Sequence, residues 1–289
     1  SEILYKDVVI LGGGIHGVGV LHDLATRGIN NICLLEKSSL GSGTSSRSTK
    51  LIHGGIRYLK RISQFRMVSE SLKERKLLMT LAPDLVKPIE LYLPVTKKER
   101  SQKIVLKSGL MLYDLLSSKY RIKNHKTISF DVAEKKAPLL DYSNISDCYS
   151  FWDAQTDDMA LVQRVASSGQ NLGADVYENT EVLFLDKGTD GWVVWTKQKN
   201  KLITPIKCKY VVNCLGPWAN NFLEKSKIDP PYPALNNKGV HLVLEDLGLK
   251  VGLLLQSFKD NRIFFVLPWL DCTLVGTTEE VYNGPLDKV

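Results

Sequence analysis

The chain has 289 residues, of which 44% are hydrophobic and 24% are charged, and its net charge is +7. This composition is ordinary for a soluble globular protein. The chain is long enough to bury a sizeable core and to form one large domain or two smaller ones. Its five cysteines have no paired spacing, which argues against a disulfide framework and favours reduced, mostly buried thiols in an intracellular compartment. We expect neither a membrane-spanning helix nor a cleavable signal.

The first forty residues predict a β-α-β unit. An apolar strand at 8–11 runs into a G-x-G-x-x-G pattern, and helical spacing then continues to Gly28, which is placed to stop the helix. A second apolar strand at 32–35 ends in Glu36. Strand, glycine turn, helix, strand and terminal acid in this order indicate a dinucleotide site rather than a glycine turn that is merely structural.

Each glycine of the pattern has a physical role. Gly12 permits the tight turn, Gly14 lets a pyrophosphate approach the backbone, and Gly17 lets the helix pack closely on the strand. The N–H groups at the helix start then face the diphosphate, while Glu36 hydrogen-bonds the adenosine ribose hydroxyls and repels a 2′-phosphate. The pattern therefore argues against NADP, but it does not separate NAD from FAD.

A hydroxyl-rich loop at 44–49 follows. Its donors suit further phosphate or a polar ring edge, whereas composition alone favours a flexible Ser/Gly linker. An ordered apolar pattern resumes at Leu51, which is hard to reconcile with a linker.

Further elements are predicted in chain order. Residues 64–82 read as a helix, and the segment from Pro88 to Pro94 reads as a short edge strand. Residues 104–116 form an apolar helix within a basic stretch, 97–126. Such a helix can rest on anionic lipid, although its spacing alone favours a buried helix with solvated charged flanks. No motif supports nucleic acid binding.

The second half of the chain predicts a return to the first sheet and then a second sheet. A helix at 160–173 precedes a strand from 176 to 185 and a hairpin of 192–195 with 206–208. A buried strand at 210–216 rejoins the parallel sheet. An antiparallel sheet is predicted from the strands 240–244, 263–267 and 273–276. Two interwoven domains follow, a dinucleotide-binding domain at 1–75 and 151–222 and a substrate-binding domain at 76–150 and 223–289.

Six stretches carry a resemblance to a known family. The longest, 44–59, reads Thr-Ser-Ser-Arg-Ser-Thr-Lys-Leu-Ile-His-Gly-Gly-Ile-Arg-Tyr-Leu, and the shorter ones lie at 65–70, 216–218, 238–241, 264–269 and 275–278. Together they resemble FAD-dependent glycerol-3-phosphate dehydrogenases. The resemblance implies an α/β fold of the D-amino-acid-oxidase-like kind, a Rossmann-like FAD-binding domain interwoven with an antiparallel-sheet substrate domain.

The resemblance also implies a function. Glycerol 3-phosphate is oxidised to dihydroxyacetone phosphate by hydride transfer to FAD, and the electrons pass to quinone. Members are peripheral membrane enzymes, which reverses the preference for a buried helix at 104–116 and suggests the cytoplasmic side of a bacterial inner membrane. Alternative locations are the cytoplasm and the mitochondrial inner membrane. Oxygen is the alternative electron acceptor, and a homodimer is a possible assembly.

The resemblance also implies site residues, and the charges of the substrate support them, since the phosphate needs a cation and the C2 hydroxyl needs a base. Arg57 grips the substrate phosphate, Tyr58 lies beside it, and His241 is the general base for the C2 hydroxyl. The alternatives are a surface arginine, a core aromatic residue and a structural histidine. We expect no metal. The expected cofactor-binding residues are Gly12, Gly14, Ile15, Gly17, Glu36, Lys37, Thr44, Ser45, Ser48, Thr49, Lys50, Leu51, His53, Gly54, Gly216 and Trp218.

Three departures from the family pattern matter. Glu279 stands where aspartate is commoner, and Cys214 replaces a small residue. The family also continues past residue 289, so the chain resembles the first half or more of a longer enzyme, or its only ordered part, and its C-terminal part is missing. We therefore expect 1–289 alone to be inactive. The rival functions are another flavin enzyme acting on an amine or a 2-hydroxy acid, and a non-catalytic dinucleotide-binding fragment.

Overall fold

A parallel sheet forms around strands that are apolar on both faces. In the computed structural model, which describes residues 3–60, 62–98, 103–198, 203–230, 232 and 235–288, all four residues of the strand Ile32–Leu35 are buried. Val8 and Ile10 pack into one core cluster and Val9 and Leu11 into another. Because successive side chains of a strand point to opposite faces, both faces of this sheet are covered.

Six helices occupy the described part of the chain. They are α1 (Ile15–Thr26), α2 (Phe65–Leu81), α3 (Lys103–Ser117), α4 (Phe130–Lys136), α5 (Asp158–Asn171) and α6 (Ala219–Lys225). The predicted helices at 64–82, 104–116 and 160–173 are confirmed as α2, α3 and α5. The predicted stop of α1 is also confirmed, since Gly28 follows the helix with φ +82° and donates its N–H to the Ala25 carbonyl over 2.9 Å.

The strands are numbered in chain order. They are β1 (Leu4–Leu11), β2 (Ile32–Leu35), β3 (Leu51–Ile52), β4 (Val86–Thr96), β5 (Lys126–Ile128), β6 (Ile145–Thr156), β7 (Asp175–Tyr177), β8 (Thr180–Gly188), β9 (Gly191–Gln198), β10 (Ile203–Asn213), β11 (Asn237–Lys238), β12 (His241–Glu245), β13 (Gly252–Gln256), β14 (Ile263–Trp269), β15 (Cys272–Gly276) and β16 (Glu280–Val281).

The first sheet has the order β7-β2-β1-β10-β9-β8. Its first four strands are parallel, and β9 pairs antiparallel with both β8 and β10. The predicted hairpin is confirmed, with Trp192 opposite Cys208. The same strand continues to Asn213 and pairs with β1, as predicted for the return to the parallel sheet. Contrary to prediction, this part of β10 is not fully buried, because Tyr210 is exposed.

The strand predicted from 176 to 185 is in fact two strands. Asn179 has a left-handed φ of +53° and turns the chain between β7 and β8. β7 pairs parallel with β2, whereas β8 pairs antiparallel with β9.

The second sheet is mostly antiparallel and has the order β12-β15-β14-β13-β4-β6-β3, with β5 paired to β6. The predicted antiparallel strands are confirmed as β12, β14 and β15. The prediction of an edge strand between Pro88 and Pro94 is wrong, since β4 lies inside the sheet. β4 pairs with β6 on one side and with β13 on the other, but the pairing with β13 is only at Leu91 and Tyr92. Pro88 and Pro94 therefore lie where β4 pairs with β6 alone, as prolines in a sheet require.

Two compact units divide the chain. Unit 1 comprises residues 1–48, 158–237 and 281–289, and unit 2 comprises 49–157 and 238–280. The unit boundaries thus lie at other residues than the predicted domain boundaries, because β3 and α2 pack in unit 2 and the chain returns to unit 1 only at α5. That one of the two predicted domains binds the cofactor and the other binds the substrate stays a prediction.

Helix α3 exposes part of its apolar surface. Leu110 and Tyr113 are buried, whereas Ile104 and Val105 are 80% and 70% exposed. The interpretation of α3 as a buried helix is therefore wrong. In the described part of the chain, no helix is long and apolar enough to cross a bilayer.

Candidate functional site

The turn between β1 and α1 closes tightly around two glycines. Gly12 has φ +99°, and a Cβ there would lie 2.6 Å from the Cys214 carbonyl oxygen. A Cβ at Gly17 would lie 1.8 Å from the Gly12 carbonyl oxygen. Both distances are impossible contacts. Gly12 can therefore lie against Cys214, and the first turn of α1 can lie against Gly12, only because these two side chains are absent.

The first turn of α1 also meets the hydroxyl-rich loop. Gly14 is the N-cap of α1 in extended conformation, and Ser45 Oγ accepts a hydrogen bond from the Ile15 N–H over 2.9 Å. Ser45 belongs to a short 3₁₀ helix, Thr44–Arg47, so the loop is ordered. The alternative of a flexible linker is wrong. Ser48 Oγ in turn donates to Asp158 Oδ2 over 2.8 Å, which fixes the loop to the start of α5.

Glu36 lies against the same turn. Its Oε2 accepts from the Gly13 N–H over 2.7 Å and its Oε1 from the Ser38 N–H over 2.8 Å. An ionised carboxylate has about four acceptor positions, so each oxygen can accept one further donor. The predicted contact with ribose hydroxyls fits this geometry.

Lys37, Gly216 and Trp218 lie at the C-terminal ends of β2 and β10. Gly216 has φ +55° and starts the 3₁₀ turn Gly216–Trp218. Lys37 Nζ and Trp218 Nε1 each lie 3.2 Å from Asp287 Oδ1. This carboxylate was not predicted, because no local pattern marks it.

In unit 2, His241 meets Thr49. The Thr49 Oγ1 lies 2.9 Å from His241 Nε2, and the histidine is half-buried. Burial lowers the pKa of His241 below its ordinary value, and the positive charge of Lys50 lowers it further. A histidine that stays neutral near pH 7 can accept a proton.

Lys50 and Leu51 complete this part of unit 2. Lys50 is buried with φ +60°, and its Nζ lies 4.8 Å from the centre of the Trp269 ring, a distance at which cation and ring attract. Leu51 pairs with Gln155 between β3 and β6. Trp269 was not predicted as a site residue, although it lies in one of the family stretches.

The segment from His53 to Tyr58 carries the remaining predicted residues. The His53 and Tyr58 rings are 6.4 Å apart between centroids, and Tyr58 is 42% exposed, so it is not a core aromatic residue. Gly54 is buried, and its N–H donates to Asp153 Oδ1 over 2.9 Å. The side chain of Arg57 lies outside the described residues.

An apolar cavity of about 760 Å³ opens beside α3 in unit 2. Leu106 and Leu110 line it from α3, and Leu254, Phe258 and Phe264 line it from the β13–β14 hairpin. Its size is in the ordinary range for a small-molecule site.

The predicted residues fall into two sets. Unit 1 holds the glycine turn, Glu36, Lys37, residues 44–48, Gly216 and Trp218, and unit 2 holds residues 49–58 and His241. The donor set of unit 1 suits a dinucleotide, with a helix start for a diphosphate and a carboxylate for a ribose. Among the described residues, no group of His, Cys, Asp and Glu side chains could hold a metal ion.

The chain matches one protein family. Residues 7–289 match the family described as DAO, FAD dependent oxidoreductase. This match covers almost the whole chain and confirms both the predicted fold class and FAD as the cofactor of the family.

Individual relatives agree with the family match. A glycerol-3-phosphate dehydrogenase of Pseudomonas tolaasii is 34% identical over 285 residues, which are 98% of this chain and 54% of that protein. A D-erythritol 1-phosphate dehydrogenase of Brucella abortus is 32% identical over 98% of this chain and 56% of that protein. The chain thus spans about half the length of these curated relatives.

Solved structures share the fold. The crystal structure of the glycerol-3-phosphate dehydrogenase from Bacillus halodurans, complexed with FAD, has a TM-score of 0.77 and 26% identity, over 98% of this chain and 49% of that one. The glycine oxidase from Geobacillus kaustophilus has a TM-score of 0.72 at 20% identity, over 97% and 73% of the two chains, and shows the fold alone. These findings confirm the resemblance that the six sequence stretches indicated.

Proposed function

The chain belongs to the family of FAD dependent oxidoreductases, and on that premise we propose that the enzyme oxidises sn-glycerol 3-phosphate to dihydroxyacetone phosphate. The observation that carries the proposal is the set of relatives named for glycerol 3-phosphate and for D-erythritol 1-phosphate, each 32–34% identical over 98% of the chain. Both named substrates are polyols with a terminal phosphate. FAD supplies the hydride acceptor when bound.

Unit 1 holds the ADP half of the cofactor in this proposal. The N–H groups at the start of α1 bind the diphosphate, except that of Ile15, which already donates to Ser45, and the turn through Gly12, Gly14 and Gly17 gives room for close approach. Glu36 accepts the ribose hydroxyls with the acceptor positions that Gly13 and Ser38 leave open.

Unit 2 acts on the substrate. His241 takes the proton of the C2 hydroxyl as the hydride leaves C2, and the lowered pKa of its imidazole supports this role because the neutral form persists near pH 7. Thr49, 2.9 Å from Nε2, orients the ring. Arg57 binds the phosphate with its planar guanidinium, a role that rests on sequence alone.

We assign quinone as electron acceptor and a membrane surface as partner. The exposed apolar side chains at the start of α3 and the apolar cavity beside them support this assignment, as does the basic stretch at 97–126. A bacterial inner membrane is the proposed location. The acceptor is tested by comparing reoxidation of the reduced enzyme by a water-soluble quinone and by oxygen. Faster reoxidation by oxygen would contradict the assignment.

A substrate panel tests the proposed reaction. The whole FAD-loaded protein, rather than residues 1–289 alone, is assayed with sn-glycerol 3-phosphate, D-erythritol 1-phosphate, glycerol, glycine and a 2-hydroxy acid, with an artificial electron acceptor. We expect the highest kcat/KM with glycerol 3-phosphate and almost none without the phosphate. A preference for D-erythritol 1-phosphate would favour the second candidate, a longer polyol phosphate, which the Brucella abortus relative suggests.

A further inference from the structure

A buried polar cluster in unit 2 lies outside the residues that the proposed function uses. It consists of Arg75 on α2, Tyr113 on α3 and Asp153 on β6, and we call it the Asp153 cluster. Arg75 and Asp153 are each 1% exposed. A buried ion pair is costly to desolvate and is a weak source of stability. Stability alone therefore does not explain why Arg75 and Asp153 are buried together.

One carboxylate oxygen receives all three donors of the cluster. Asp153 Oδ1 accepts from Arg75 Nη1 over 2.5 Å, from the Tyr113 hydroxyl over 2.8 Å and from the Gly54 N–H over 2.9 Å. Arg75 Nη1 also donates to the Tyr113 hydroxyl oxygen over 3.0 Å and to the Trp152 carbonyl over 3.0 Å. Donors from α2, from α3 and from the backbone of Gly54 therefore converge on one carboxylate oxygen of β6.

The approach of Gly54 to this cluster leaves no room for a side chain. A Cβ at Gly54 would lie 2.1 Å from the Tyr113 hydroxyl oxygen and 2.3 Å from Leu72 Cδ2. Gly55 follows with φ +81°, and its carbonyl accepts the Tyr58 N–H over 2.9 Å. The turn that begins at Gly54 thus runs directly into the 3₁₀ helix Ile56–Lys60.

Tyr113 stays protonated within the cluster. Burial raises the pKa of Tyr113 well above its ordinary value, and the negative charge of Asp153 raises it further. The hydroxyl therefore keeps its proton at physiological pH and stays a donor to Asp153.

We infer that Asp153, with Arg75 and Tyr113, is a positioning residue of the enzyme, which holds the backbone of residues 53–58 so that His53 and Tyr58 are presented to the cofactor and substrate. This inference rests on the proposed function for the roles of those two side chains. The anchoring of the segment at Gly54 rests on the hydrogen bonds of the cluster alone.

Tyr113→Phe is the variant that tests the inference. It removes one donor to Asp153 and keeps the ring that packs edge-on against Phe151. Asp153→Asn is less useful, because removing one charge of a buried pair costs about 3–5 kcal/mol and the protein can fail to fold. Tyr149→Phe is the matched control. Tyr149 lies on β6 with Asp153, is 1% exposed, and has no hydrogen-bond partner for its hydroxyl among the described residues.

Hydrogen exchange measures the anchoring directly. In Tyr113→Phe we expect amide exchange in peptides covering 53–58 to rise about tenfold or more, with exchange in β1 unchanged, in both the FAD-free and the FAD-loaded protein. Tyr149→Phe should leave exchange at 53–58 as in the parent. Unchanged exchange in Tyr113→Phe, or an equal rise throughout unit 2, would overturn the inference.

Kinetics measure the consequence. With the substrate that the parent oxidises, Tyr113→Phe should lower kcat/KM of the FAD-saturated enzyme about tenfold or more, since small misplacements of positioned groups are costly. Equal kcat/KM in Tyr113→Phe and Tyr149→Phe would overturn the inference even if exchange rises. If the parent oxidises no polyol phosphate, the proposed function fails, and exchange together with kinetics on the true substrate decides the inference.

Discussion

His241 and Gly276 lie directly opposite each other in the antiparallel pair of β12 and β15. A Cβ at Gly276 would lie 2.5 Å from Cδ2 of the His241 imidazole. The start of β12 is held further by Thr278, whose Oγ1 accepts the Val240 N–H over 3.0 Å and whose N–H donates to the Val240 carbonyl over 3.2 Å. The position of the imidazole therefore depends on the absence of a side chain at Gly276.

Gly276→Ala should displace the imidazole of His241. Forcing a methyl group into a packed site costs about 1–3 kcal/mol, and we expect flavin reduction by substrate to slow toward the rate expected when the general base is lost, about 100-fold lower. Stopped-flow absorbance checks this rate. Gly109→Ala is the control, because a Cβ there meets nothing within 4 Å. Equal reduction rates in the two variants would contradict the proposed role of His241.

Two neighbouring glycines of α1 should respond in opposite directions to alanine. Gly17→Ala places a Cβ 1.8 Å from a backbone oxygen, so the free energy of unfolding should fall by about 3 kcal/mol or more. Gly19→Ala meets nothing within 4 Å and should raise it by about 0.5–1 kcal/mol, since alanine favours a helix. Urea denaturation measures both, and a similar loss in both variants would refute the close approach of α1 to β1.

Glu36→Ala should weaken FAD binding. The variant loses charge-assisted hydrogen bonds worth about 1.5–3 kcal/mol, which correspond to about one to two decades in Kd. Equilibrium dialysis against FAD measures the change. Glu178→Ala is the matched control, because Glu178 also accepts a backbone N–H, that of Leu40, over 2.6 Å. FAD retention by Glu36→Ala equal to that of the control would remove Glu36 from the cofactor site.

The pH dependence of flavin reduction should report His241. Burial and the charge of Lys50 lower its pKa below the ordinary value of 6.5, so the base stays neutral until the pH falls below that value. The rate should therefore decline only below pH 6.5, and the stability due to the neutral imidazole should be lost over the same window, as pH falls from 6.5 through the folded pKa. In Lys50→Met the midpoint should move upward. An unmoved midpoint in that variant would contradict the electrostatic account.

The exposed apolar start of α3 should govern membrane binding. Replacing Ile104 and Val105, which are both exposed, with Asn should weaken binding to vesicles that contain anionic lipid by about tenfold, because less apolar surface enters the interface. Co-sedimentation with vesicles measures this. Replacing Leu139 and Leu270, which are also exposed apolar residues but lie elsewhere in unit 2, is the control, and equal loss in both pairs would contradict a specific role for α3.

Local patterns account for the parts of the fold that were predicted correctly. The glycine spacing of residues 12–17 determines the turn, and the apolar runs at 8–11 and 32–35 have the length of buried strands, too short for a helix. The same holds for α2, α3 and α5, where helical spacing extends over several turns. These features depend on neighbours in sequence, so a single chain is sufficient to predict them.

Features that depend on distant partners were missed. Nothing near Asp153 in sequence shows that its partners are Gly54, Arg75 and Tyr113, which are 99, 78 and 40 residues away. The one available signal is a lone acid in the apolar run from Tyr149 to Ala154, since a buried charge needs a partner. β6 itself was missed because its side chains show no simple alternation, being buried on both faces.

The most direct test of the proposed function is anaerobic reduction of the whole FAD-loaded protein, rather than of residues 1–289 alone, by sn-glycerol 3-phosphate, followed by flavin absorbance. We expect the absorbance of oxidised flavin to bleach on addition of glycerol 3-phosphate and to stay unchanged with glycerol or glycine at the same concentration. Flavin that stays oxidised with glycerol 3-phosphate but is bleached by glycine would contradict the account and favour an amine-oxidising member of the family.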